Sequence, residues 1–171
     1  MKITVVGLSE AKKLIPEGGF DACVSIADPD STSRPKNRHL IPLVLDLDFS
    51  DVGITGDFPP VPEDARRLVF FLRRIVEIGC TNVVIHCFAG ISRSTAAALA
   101  LLALVHGKDA DLAGLLLEIR PQAFPNEHFA SLLDDEIGWR TRPLSAAATK
   151  LRADSTAPIL LLDLAARGGD R

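Results

Sequence analysis

The chain has 171 residues, 47% of them hydrophobic and 24% charged, which fits one domain with a substantial core. A net charge of −3 and a pI near 5.8 exclude a general nucleic-acid or anionic-membrane binder, so neither is expected as a partner. Three cysteines without a framework spacing exclude a disulfide scaffold and suit a reducing compartment, with the cytoplasm as the expected location.

Met1–Val6 is apolar but too short for a secretory signal. Within it Ile3–Gly7 reads as a strand, and Ser9 as the cap of a helix over Glu10–Ile15 that Pro16 and Gly18-Gly19 end. Asp21–Ala27 reads as a second strand, closed by Asp28-Pro29-Asp30. Ser31–Arg38 is a polar, basic loop with Arg34, Lys36 and Arg38, and His39–Asp46 resumes a strand with Pro42 at an edge or bulge. Asp46–Pro60, rich in Asp, Gly and Pro, reads as a long loop, and loops of that length are usually functional or disordered.

Pro62-Glu63-Asp64 opens a helix in which Leu68, Phe71, Leu72, Ile75 and Val76 recur at helical spacing until Gly79. Asn82–His86 is the next strand. Ser94–Val105, apolar on nearly every face, predicts a buried helix, yet its longest apolar run falls well under the ~18 residues of a membrane span. Further helices are predicted over Asp109–Ile119 and Phe129–Ile137, and Leu160–Ala166 reads as one last short element. Strands alternating with helices predict an α/β fold with a mainly parallel central sheet flanked by helices on both faces. Residues 1–140 are expected to form the domain, and 141–171 an extension whose structure the pattern leaves open.

The stretch from Val83 to Ser94 carries the chemistry. An apolar strand ends in Cys87, a glycine-containing loop follows, and Arg93-Ser94 open the buried helix. A loop of that kind at a helix N-terminus lets the N–H groups of Phe88 to Arg93 curl around one tetrahedral anion. Gly90 allows close backbone approach or positive φ. The same field stabilises an ionised thiol at the bottom of the cup. Cys23 and Cys80 lack this context and read as small core residues.

The pattern His86-Cys87-x5-Arg93-Ser94 resembles the signature loop of cysteine-dependent protein phosphatases, and Ala89-Gly90-Ile91-Ser92-Arg93-Ser94 is most similar to the dual-specificity branch. Arg120-Pro121-x-Ala123-x-Pro125-Asn126 also resembles a segment that buttresses the loop in that family. The resemblance spans about Asp21 to Ile137. It implies Cys87 as nucleophile, Arg93 as a bidentate clamp, and a substrate loop of Phe88, Ala89, Gly90, Ile91, Ser92, Arg93 and Ser94 that phosphate or sulfate would occupy. Ser94 would hydrogen-bond the sulfur, and His86 would orient the loop through hydrogen bonds.

The resemblance further implies an aspartic general acid on a separate loop. Asp46, Asp48, Asp51 and Asp57 are the candidates. Asp46, at the strand end after Leu40-x-Pro42-x-Val44, is the preferred one, although Asp57 lies at a more usual distance from Cys87. No metal or other cofactor is called for. The loop carries no lysine, so a phosphorylated protein (phosphotyrosine, and phosphoserine or phosphothreonine) or a small phosphomonoester is the expected substrate rather than a highly charged inositol phosphate. The alternative is a catalytically weak phospho-binding module of the same fold; a persulfide-carrying sulfur transferase fits the arginine spacing less well.

Overall fold

Four strands, β1 (Lys2–Gly7), β2 (Ala22–Ala27), β3 (Leu43–Asp48) and β4 (Asn82–Cys87), form the sheet of the computed structural model. The model describes residues 1–29, 31–53 and 56–154. All pairings are parallel, in the spatial order β1-β4-β2-β3. β2 and β4 lie at the centre and carry apolar residues on both faces, so all of β2 is buried, as a covered parallel sheet requires. The connecting helices are α1 (Leu8–Glu17), α2 (Pro62–Glu77), α3 (Arg93–His106), α4 (Leu112–Ile119), α5 (Glu127–Ile137) and α6 (Pro143–Asp154).

Side-chain alternation divides the sheet into two faces. Val24, Ile26, Leu47, Val83, Ile85 and Cys87 share a core with α2 through α6. Cys23 and Val84 turn the other way, against Ala11 and Ile15 of α1 and against Ile41. The α/β fold with helices on both faces is therefore the one that the pattern predicts. α3 is buried from Arg93 to Ala103, and its many alanines let it lie close to the sheet. No helix among the described residues is long and apolar enough to cross a membrane.

Three local expectations shift. α1 begins at Leu8, not after Ser9, because the Glu10 carboxylate accepts a hydrogen bond from Gly7 N at 2.8 Å and closes the first turn. β3 begins at Leu43 rather than His39. Lys36–Leu40 forms a 3-10 turn instead, held where Arg38 donates to Asp46 at 2.9 and 2.8 Å. The third shift is α6, which lies in the stretch expected as an open extension. Its Leu144, Ala147, Ala148 and Leu151 stand at helical spacing and pack on α3, α4 and α5. The predicted element at Leu160–Ala166 lies outside the described residues.

α6 is tied down by a buried carboxylate. Asp134, 2% exposed, accepts from Leu144 N (3.1 Å), Ser145 N (2.8 Å) and Ser145 Oγ (2.6 Å), which satisfies orphan donors at the helix start. Asp134→Ala is therefore expected to lower unfolding free energy by about 1–3 kcal/mol in urea denaturation. A variant as stable as the wild type would show that α6 docks through its apolar face alone.

Candidate active site

β4 delivers Cys87 to the C-terminal edge of the sheet, beside Gly7 of β1. The loop that follows has every carbonyl from Phe88 to Ser92 occupied by a neighbouring group. Phe88 O accepts from Leu8 N (2.9 Å), and Ile91 O from Phe124 N (2.9 Å). Arg120 donates through Nη2 to Ala89 O (3.4 Å) and through Nε to Gly90 O (2.9 Å). Ser92 O accepts from Ala96 N and Asn126 N, and Thr95 Oγ1 donates to both Ile91 O and Ser92 O. The N–H groups of Ala89, Ile91, Ser92 and Arg93 donate to no backbone carbonyl among the described residues, and Gly90 N donates to the Cys87 sulfur at 3.2 Å. Ser94 Oγ also lies 3.2 Å from that sulfur. Of the predicted loop residues, Gly90 and Ser94 thus lie directly against Cys87 Sγ.

Gly90 is the point of closest approach. Its φ is +71°, and a Cβ there would fall 2.3 Å from Gly7 N and 2.4 Å from Val6 C. No other residue fits. Arg120 is held in turn by Glu10 through bonds of 3.2 and 3.0 Å. The hydrogen bond from Arg120, with a second from Gly7 N, keeps the Glu10 carboxyl below its usual range.

Arg93, the first residue of α3, is 3% exposed. Its Nη1 donates to Phe49 O (2.8 Å) and Asp28 Oδ1 (3.0 Å), while its Nε is buried without a partner among the described residues. An unpaired buried guanidinium N–H is disfavoured by about 1–3 kcal/mol until an acceptor arrives. Asp28 carried no functional expectation from the sequence; nothing in its Asp-Pro-Asp turn signals the contact.

The candidate acids separate sharply. Asp46 is the one preferred from sequence, and the structure places it away from the loop. In register it faces Ser25, which faces His86, so its side chain lies on the α1 face while Cys87, one residue on, projects to the other. There Arg38 grips Asp46 and Arg34 stands 3.4 Å away. Burial pushes the Asp46 carboxyl up, but the hydrogen bonds from Arg38 and the charges of both arginines outweigh it and hold the group below its usual range. Asp48 pairs with Arg34. Asp51 is the aspartate that reaches the loop: its Oδ1 accepts from Ser92 Oγ (2.6 Å) and Asn126 Nδ2 (3.0 Å). Asn126 of the Arg-Pro segment thus links the acid loop to the signature loop, besides capping α5 through Phe129 N. A cavity of about 510 Å³ opens beside Asp51, Ser92, Phe124 and Arg152.

His86 departs from expectation. It is 1% exposed, and neither ring nitrogen makes a well-formed hydrogen bond among the described residues; the Cys87 backbone offers only a weak one, less than the orienting role expected. Burial drives its imidazole from about 6.5 down to about 4, helped by the charges of Arg34 and Arg38 and opposed by the Cys87 backbone and Asp46. Cys23, on the same face, is pushed up to about 12 by burial and by Asp46. No group of three His, Cys, Asp or Glu side chains that could hold a metal occurs among the described residues.

No protein-family model matches the chain. Among curated proteins it is 31% identical to mouse dual specificity protein phosphatase 15 over 137 residues, which are 74% of this chain and 57% of that protein. The chain therefore spans a little over half the length of the curated relatives it matches first. Its fold is that of the crystal structure of DUSP15, with a TM-score of 0.56 at 21% identity over 90% of this chain and 92% of that one. It is also similar to the human tyrosine phosphatase-like serine/threonine/tyrosine-interacting protein, with a TM-score of 0.57 at 21% identity over 74% of this chain and 82% of that one.

Two outcomes follow from this geometry. Gly90→Ala should fold less stably and lose inorganic phosphate binding, read by isothermal titration; retained affinity would mean that the loop is not the anion site. For His86 the folded pKa lies below the ordinary value, so between about 4 and 6.5 the folded state binds fewer protons than the unfolded one. Its contribution to stability is full above pH 6.5 and is lost as pH falls toward 4, by about 3 kcal/mol. An NMR titration of the imidazole C2–H should show no charging above pH 5; a midpoint near 6.5 would contradict the burial.

Proposed function

Since the chain belongs to the cysteine-dependent protein tyrosine phosphatase superfamily, among its dual-specificity-like members, we propose that it hydrolyses phosphomonoesters through a thiophosphate intermediate on Cys87. The observation that carries this reading is the loop itself: Gly90 N and Ser94 Oγ lie against the Cys87 sulfur, other loop N–H groups have no carbonyl partner, and the buried Arg93 Nε has no partner among the described residues. Those donors match the three non-bridging oxygens of a phosphoryl group, and Arg93 follows them as they flatten in the transition state.

In the first step the Cys87 thiolate attacks phosphorus, the ester P–O bond breaks, and the leaving oxygen takes a proton from an aspartic acid. We assign that proton to Asp51 rather than Asp46. Asp51 is bonded to the rim of the cup through Ser92 Oγ, whereas Asp46 is held ionised by two arginines on the opposite face of the sheet. In the second step water attacks phosphorus, the Asp51 carboxylate takes its proton, and the S–P bond breaks to release inorganic phosphate. Ser94 Oγ, 3.2 Å from the sulfur, stabilises the departing thiolate.

Phosphotyrosine, with phosphoserine and phosphothreonine, is the proposed substrate set, and a reducing compartment such as the cytoplasm keeps the nucleophile a free thiol. A module that binds phosphate without turnover is the second reading, favoured by the solved neighbour whose name describes an interacting protein. The presence of a cysteine, an arginine and a carboxyl group bonded to the loop together weighs for hydrolysis.

Hydrolysis of p-nitrophenyl phosphate in excess chelator tests this. Turnover is expected in the wild type, to vanish in Cys87→Ser, and to fall about 10²–10⁴-fold in Asp51→Asn, with Asp46→Asn close to wild type. A large loss in Asp46→Asn but not in Asp51→Asn would reverse the assignment of the acid. A folded wild type that binds phosphopeptide without turnover would leave the binding module in its place.

A further inference from the structure

The basic stretch upstream of β3 does more than close a loop. Arg34 has a side chain only 9% exposed, and it is paired with Asp46 and Asp48. Its Nη1 donates to Ser25 O and Oγ, and its Nη2 to Leu47 O at 2.8 Å. Arg38 is paired with Asp46 and donates to Pro35 O at 3.2 Å. Arg34 N also donates to Thr32 O, and Ser33 N to Ser31 Oγ. A segment with little regular structure is thereby fixed by a buried guanidinium.

Between that fixed wall and α1 lies a cavity of about 480 Å³. Lys12 of α1 and Lys36 face it, together with Thr32, Ser33, Asn37 and Arg34, and no carboxylate of the described residues lines it. The two arginines are paired with Asp46 and Asp48, and neither lysine has an ion-pair partner among the described residues. Ser33 lines a second, smaller cleft as well, the one that holds Cys87 and Phe88. The basic cavity and the cleft at Cys87 thus share Ser33 as a common wall, and the signature loop has no lysine of its own.

We propose that this cavity is an accessory anion subsite, which takes a second anionic group carried by the substrate beside its scissile phosphomonoester. The inference rests on the phosphatase reading and narrows its substrate class. Two ammonium groups and the hydroxyl and amide donors suit a phosphoryl or carboxylate group, and the anchored wall removes much of the ordering that binding would otherwise require. An anion placed here also draws the substrate toward the cup in an otherwise net-negative chain.

The test uses phosphotyrosine peptides of one sequence whose flanking position is glutamine, glutamate or phosphoserine. Wild-type kcat/KM should be about 5–10-fold higher for the anionic flanks at low salt, falling toward parity at high salt. A gain with phosphoserine alone would assign the subsite to a second phosphoryl group; a gain with both would assign it to acidic sequences generally. Lys12→Gln/Lys36→Gln should remove the preference through KM and leave p-nitrophenyl phosphate turnover unchanged, and Lys12→Glu/Lys36→Glu should invert it. Equal kcat/KM for all three peptides in the wild type overturns the subsite. Should p-nitrophenyl phosphate not be hydrolysed at all, the phosphatase reading fails. The subsite is then decided by the affinity of Cys87→Ser for the same peptides, where a preference lost with the lysines supports it and equal affinities refute it.

Discussion

A backbone loop can cradle an anion only when its own carbonyl dipoles are turned elsewhere. Here five consecutive carbonyls, from Phe88 to Ser92, are each held by a donor outside the cup or from the helix that follows. The donors come from distant parts of the chain: Leu8 after β1, Arg120 after α4, Phe124 and Asn126 before α5. This explains why β1 must lie beside β4, because only then do Gly7 and Leu8 reach the loop. Arg120 has a further partner in Glu10, so one guanidinium locks the loop to α1 on its other side.

The period of two along a strand decides which groups can cooperate. Cys87 and His86 are neighbours in sequence and lie on opposite faces, and the same parity sends Asp46 with His86. The sheet therefore separates the face of Cys87 from a face where Ser25, Arg34, Arg38 and Asp46 form a structural network beside a neutral imidazole. That network in turn holds the segment bearing Lys36 and Ser33. Removing one member of such a buried set leaves the others uncompensated, which is costlier than the pair itself is stabilising.

What was legible in the sequence was local. Cys87, Arg93 and the loop between them are spaced by one strand, one turn and one helix start, so adjacent residues suffice to place them. The alternation of strands and helices likewise fixes the order of the layers. The proposed acid is not legible in this way. Asp51 meets Asn126 across a sequence separation of 75 residues, and a loop without periodicity gives no sign of which aspartate turns back. Strand β3 begins later than its pattern predicts because Arg38 and Asp46 fold the preceding residues into a turn, a long-side-chain contact that propensity does not register. α6 was missed because half of its apolar stripe is alanine, which reads as weak amphipathicity although it packs closely.

The pose of Arg93 joins the fold to the chemistry. One amino group is fixed by Phe49 O and Asp28, which leaves Nε buried and without an acceptor. In the folded protein alone this is an unfavourable arrangement, yet for the proposed phosphoryl substrate it supplies a charged donor already held in place, which needs little reorganisation on binding. Asp28 is half-exposed, so it holds the guanidinium without fully neutralising it. On the proposed mechanism, stability given up at one nitrogen would be recovered on binding, and most where the oxygens carry the greatest charge.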